Sequence, residues 1–157
     1  DIKSVKIENN LSDVVWGAAF WQYYKEINQI EDYNSPFLSV SRALYVKKVG
    51  SSGEVLSLVD SKNTVKIGDK LVVRLTVKAD RDMEFIHLNE SLYYFESSSD
   101  VGTDFFIDFL PKGTFIIDYP VKVNAEGAFL LGTSTIQCMY APEFGSHTKG
   151  DKIYIVK

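Results

Sequence analysis

Hydrophobic positions along this chain recur at every second residue. Leu71, Val73, Leu75 and Val77 share one face, while Lys70, Arg74, Thr76 and Lys78 fall on the other. Such alternation predicts a half-buried strand. Leu38, Val40, Leu44 and Val46 form a second row, which only Arg42 interrupts. Phe115, Ile117, Tyr119 and Val121 alternate with Thr114, Ile116, Asp118 and Lys122, and the last strand, Lys152 to Val156, carries Ile153 and Ile155. Turn signals separate these runs: Gly50-Ser51-Ser52-Gly53, Ile67-Gly68-Asp69, Pro111-Lys112-Gly113 and Asn124-Ala125-Glu126-Gly127. With Ile2–Ile7, Glu54–Val59, Met83–Leu88, Thr103–Leu110 and Leu130–Tyr140 added, the pattern predicts roughly nine strands. Many short strands with frequent turns imply an all-β fold, an antiparallel two-sheet sandwich.

Val14–Tyr24 reads either as a helix capped by Ser12 or as a long strand; aromatic and β-branched residues around Gly17 favour the strand. As a strand it puts Trp16, Phe20 and Tyr24 on one face and Trp21 and Tyr23 on the other. From Ile27 to Pro36 the polar run reads as a loop, as does Gly145-Ser146-His147-Thr148. Residues 1–157 are expected to form one domain, with 1–10 either its first strand or the last strand of a preceding domain.

Composition agrees. Nine Tyr and ten Phe suit pleated surfaces. The formal net charge is -4 with both signs interleaved, so no basic stripe offers itself to nucleic acid. The uncharged stretch Ala128–Tyr140 is too short and polar to cross a bilayer, and no direct membrane insertion is expected. The opening Asp1-Ile2-Lys3 does not read as a signal peptide, so an export signal, if one is used, is expected outside this sequence.

Candidate chemistry is sparse. His87 lies in the strand-like Phe85-Ile86-His87-Leu88 and is expected to be a hydrogen-bonded strand histidine. Neither His87 nor His147 has a partner at zinc-ligand spacing, and neither a metal nor another cofactor is expected. No Gly-x-Ser-x-Gly elbow is present. Cys138, the single cysteine, is expected to be a buried inert thiol. Glu84, Asp104, Asp108 and Asp118 fall at strand spacing, as on a solvated face. The expectation is a non-enzyme with no catalytic residues. Side-by-side exposure of Trp21 and Tyr23 would instead suit a stand-alone adhesion or carbohydrate-binding sandwich at the cell surface.

Four ordered stretches carry a family resemblance: Trp16–Tyr23, Asp80–Leu88, Phe105–Thr114 and Thr135–Phe144, the last reading Thr-Ile-Gln-Cys-Met-Tyr-Ala-Pro-Glu-Phe. Val65–Lys70 and Ser146–Gly150 fit as well. Together they resemble the C-terminal macroglobulin-like domain of bacterial alpha-2-macroglobulins, particularly the large Bacteroidetes-type proteins. The resemblance implies a macroglobulin-like, fibronectin-like sandwich within a long exported chain, in the periplasm or at the cell surface, that traps proteases. It implies an adjacent helical thioester domain as partner, with Met139 and Tyr140 shielding the thioester, and it makes Pro142, Glu143 and Phe144 motif residues. It also implies a longer segment between His87-Leu88 and Tyr93-Tyr94 than the four residues Asn89-Glu90-Ser91-Leu92, so the loop there is expected to be either shortened or absent from this chain. Strand alternation puts Met139 with Thr133, Thr135 and Gln137 on a mostly polar face, and Tyr140 with Ile136 and Cys138 on the opposite one. The alternative is that Met139 and Tyr140 merely complete the domain's own core.

Overall fold

The computed structural model describes residues 24–51, 53–60, 64–94 and 97–157, together with Lys6, Glu8, Asn10 and Val14. The expectations for Ile2–Val5 and Ile7, and for Trp16, Phe20, Trp21 and Tyr23, lie outside the described residues. Tyr24, expected on the Trp16 face of a strand, lies outside any strand and is fully exposed.

Among the described residues, ten strands follow a short 3-10 turn at Ile27–Gln29: β1 (Leu38–Gly50), β2 (Gly53–Leu58), β3 (Val65–Lys66), β4 (Lys70–Ala79), β5 (Met83–Tyr94), β6 (Ser97–Leu110), β7 (Gly113–Lys122), β8 (Gly127–Cys138), β9 (Ala141–His147) and β10 (Asp151–Val156). One sheet has the order β2-β1-β4-β7; the other runs β3-β10-β8-β5-β6, with β9 also pairing β8. All pairings are antiparallel except the short β3–β10 contact. The all-β sandwich read from the alternation is the fold observed.

The alternating rows do what their sequence predicts. Leu71, Val73, Leu75 and Val77 of β4 are buried, and Phe115, Ile117, Tyr119 and Val121 of β7 point inward. Pro120 sits on β7, an edge strand, where its missing N–H removes no inner ladder bond. Two apolar clusters fill the space between the sheets. One gathers Leu38, Val40, Val73, Leu75, Ile86, Leu88 and Ile136; the other gathers Val46, Val65, Leu71, Leu131 and Ile153. Leu44 and Val121 pack against both. A fully buried leucine such as Leu75 contributes about 2–5 kcal/mol by the usual cost of truncation.

Arg42 breaks the β1 row because its charge is needed there. The guanidinium donates to the carbonyls of Gly132, on the opposite sheet, at 2.6 Å and of Lys149, between β9 and β10, at 3.3 Å. The β5–β8 register shifts between Glu90↔Ser134 and Leu92↔Leu131, so β8 carries one extra residue at Gly132-Thr133. Such a bulge takes a carbonyl out of the ladder, and here the Gly132 carbonyl turns to Arg42.

At Asn89–Leu92, where a loop was expected to be shortened or absent, there is none: these residues are the middle of the continuous strand β5, which pairs with β6 as far as Tyr94↔Ser97. Two expectations are corrected. Gly145-Ser146-His147 is not a surface loop; it is the end of β9, with Ser146 and Thr148 buried. Short polar side chains hide the strand in the sequence, since they satisfy backbone groups rather than fill the core. Ser146 Oγ accepts from Ser35 N and donates to the Leu38 carbonyl, and Thr148 exchanges hydrogen bonds with Ser134. Cys138 is only partly buried, its thiol donating to the Glu84 carbonyl at 3.3 Å.

The segment before β1 closes the end of the larger sheet. Tyr33 bridges His147, Lys149 N donates to Asp32 Oδ1 at 2.8 Å, and Gly150 N donates to the Ile30 carbonyl at 3.1 Å. A β-carbon at Gly150 would overlap the Ile27 carbonyl oxygen. Backbone cannot yield as a flexible side chain can, so Gly150→Ala should lower stability by about 1–3 kcal/mol, read as a lower urea midpoint.

Candidate functional site

Exposed apolar residues concentrate where β5, β6 and β8 end together. β8 stops at Cys138, Met139 and Tyr140 form the turn, and Ala141, opposite Cys138, begins β9. A two-residue hairpin connection ordinarily uses glycine, asparagine or aspartate at positive φ. Among the described non-glycine residues, only Phe85 has positive φ, so this turn is of another kind, and the pairing shifts register beside it, between Gln137 and Cys138. Pro142-Glu143-Phe144 make up the extra length on β9. Phe144 packs edge-on against Phe37, at 5.5 Å between ring centres, while Pro142 and Glu143 are exposed. Gly145 lets the bulge fold back, since a β-carbon there would lie 3.2 Å from the Pro142 carbonyl oxygen.

Met139 is 50% and Tyr140 78% exposed. Exposure of Met139 follows the alternation. Tyr140 does not share the buried face with Ile136 and Cys138, because β8 ends one residue after Gln137 and the turn carries Tyr140 outward. Neither residue completes this domain's core.

Across the sheet, Phe85 braces the turn. Its φ is 54°, the left-handed region that a non-glycine residue enters at a cost of about 1–3 kcal/mol. The consequence is a change of phase in β5: Met83, Ile86 and Leu88 are all buried, so Glu84 and Phe85 both face outward. β6 answers with Asp108 and Phe109, both outward between Ile107 and Leu110. The Phe85 carbonyl accepts the Met139 N–H at 2.9 Å, and the Phe85 ring meets the Tyr140 ring edge-on, 5.0 Å between centres at 88°. Sequence alternation alone could not locate this site, because strict period two assigns Phe85 to the Met83 face.

Next along β5, His87 lies opposite Phe106 of β6, and the two rings stack at 4.7 Å. His87 Nε2 is 2.9 Å from Asp104 Oδ1, and Asn89 Nδ2 donates to the same oxygen at 2.7 Å. His87 is thus the hydrogen-bonded strand histidine expected, with a carboxylate that only strand pairing brings near. Donation from Asn89, then from His87, holds the Asp104 carboxyl below the usual carboxylate range. On the opposite sheet Arg74 grips Asp118 through two hydrogen bonds of 2.7 and 2.8 Å, which lowers Asp118 in the same way. Glu84 and Asp108 face solvent. Among the described residues no three His, Cys, Asp or Glu side chains converge as metal ligands, and no helix is long and apolar enough to cross a membrane.

The structure is similar to a mutant of Salmonella alpha-2-macroglobulin (TM-score 0.60, 16% identity, 81% of this chain) and to the same protein reacted with methylamine (0.58, 15%, 81%). It is also similar to the native conformation of E. coli alpha-2-macroglobulin, at TM-score 0.56 and 14% identity over 80% of the chain. In each case the chain spans 10% of the larger protein. No curated protein matches the sequence. Residues 94–143 match the family model of the bacterial alpha-2-macroglobulin MG10 domain, a span that contains the whole of β6, β7 and β8 and the Met139-Tyr140 turn. The fold is thus similar to one found within bacterial alpha-2-macroglobulins, and residues 94–143 resemble their MG10 domain, the family to which the motifs pointed.

The Asp104 cluster generates a pH prediction. A carboxyl whose pKa is lowered on folding contributes stability above its unfolded value, about 3.9, and loses it as pH falls through the folded value. The stability advantage of the wild type over Asp104→Asn, measured by urea unfolding, should therefore be present at neutral pH and shrink below about pH 4.

Proposed function

We propose that this domain is a noncatalytic module of an exported bacterial protease trap, and that its Met139-Tyr140 turn packs on the adjacent thioester domain and keeps water from the bond. The observation that carries this reading is the exposure of a methionine and a tyrosine at a hairpin turn whose backbone chemistry requires neither. They lie inside the segment that matches the MG10 family. Turn residues of this size, set on a rigid sheet, suit a contact with another surface. Methionine adapts to the shape it meets, and tyrosine offers a broad ring with a polar tip. The Salmonella alpha-2-macroglobulin of similar fold is one that has been reacted with methylamine, the reagent by which this reading is tested.

The domain then works by contact rather than by chemistry. A trap that changes shape after a protease cuts it needs contacts differing in free energy between the two shapes. A compact apolar turn is suited to that, since it is buried when docked and tolerated in water when released.

The full-length parent supplies the test. Each large apolar side chain buried at such a contact is worth about 1.5–3 kcal/mol, so Met139→Ala combined with Tyr140→Ala should speed methylamine incorporation at least about tenfold. An unchanged rate would remove the shielding role.

A further inference from the structure

The thioester shield, as read above, consists of the two turn residues. We infer that Phe85, on β5, is the positioning residue that fixes Tyr140 in its outward conformation, and that the strained backbone at Phe85 serves this contact. The inference rests on the proposed shielding role only for its functional consequence; the positioning itself is a property of this domain.

Three independent observations meet at Phe85. It is the described non-glycine residue with positive φ. Its carbonyl receives the Met139 N–H, the first backbone donor beyond β8. Its ring stands edge-on to Tyr140. Glycine or asparagine would occupy this backbone conformation with less strain. Phenylalanine there is also 44% exposed, so core packing does not explain its size. What the large ring gains is the contact with Tyr140, in the geometry aromatic pairs prefer. A tyrosine on an exposed turn would otherwise sample several rotamers and would have to be ordered on docking. Held against Phe85, it is ordered in advance. The same phase change that turns Phe85 outward lets Met83 and Ile86 both enter the core, so the sheet fixes the brace as firmly as it fixes its own interior.

Phe85→Gly separates the brace from the fold, because it removes the ring while suiting the backbone; Phe85→Tyr keeps the edge-on ring. In the full-length parent, 3-fluorotyrosine placed at position 140 reports the ring's surroundings by its fluorine resonance. Phe85→Gly should move that resonance toward the free amino-acid value, and Phe85→Tyr should leave it near the wild-type position. Methylamine incorporation should rise at least threefold in Phe85→Gly and stay near wild type in Phe85→Tyr. A resonance unmoved by Phe85→Gly overturns the inference whatever the reactivity shows. A resonance that moves while Met139→Ala with Tyr140→Ala leaves reactivity unchanged preserves the brace and rejects the shield instead. If the double substitution speeds the reaction and Phe85→Gly does not, the brace has no part in shielding.

Discussion

The pairing of β5 with β8 is the contact on which the rest of this domain depends. It aligns Ile86 with Cys138 and Leu88 with Ile136, which brings three of the most deeply buried side chains, Ile86, Leu88 and Ile136, into one layer. β8 also carries β10 and β9 along its other edge, so both ends of the larger sheet take their register from it. A one-residue slip would turn Ile136 and Ser134 outward, expose the apolar layer and separate Ser134 from Thr148. Two local irregularities in this one pairing have distinct uses. The extra residue at Gly132-Thr133 presents a carbonyl to Arg42 and ties the sheets together between the two apolar clusters. The left-handed Phe85 sets the far end, where the strand pair gives way to the Met139-Tyr140 turn.

The surface at that end is organised by the same constraint. β8 stops at Cys138 with Met139 hydrogen-bonded to β5, so the turn cannot fold over the core and cover its own apolar residues. What it presents is narrow: two apolar turn residues, the Phe85 ring and, further along β5, His87 stacked on Phe106 beside Asp104. No step of bond chemistry is suggested by these groups, since the imidazole and carboxylate are already engaged with each other and with Asn89. A surface that engages and releases is the use we propose for it.

Much of the sandwich was legible because half-buried strands announce themselves by alternation. The β1, β4 and β7 rows are clear for that reason, and even the break at Arg42 marks a real change in environment. Legibility failed where polar side chains line a strand or where the period shifts. Ser146 and Thr148 are buried through hydrogen bonds, which hydropathy reads as loop. Phe85 departs from period two by one position, and nothing in Asp-Met-Glu-Phe-Ile-His-Leu reveals the positive φ that causes it. At Asn89–Leu92 the sequence left a shortened or an absent loop open, and the strand pairing decides for continuous strand. Met139 and Tyr140 were singled out through motif resemblance, and alternation already placed Met139 outward; the outward path of Tyr140 needed the structure.

The central claim is that this turn is a docked contact in the intact parent and a free one after cleavage. A photoreactive benzoylphenylalanine at position 140 of the full-length protein tests it directly. Irradiation before protease treatment should join position 140 to the thioester-bearing domain, and irradiation after cleavage should yield little of that product. Equal crosslinking in both states, or none in the uncleaved protein, would contradict the claim.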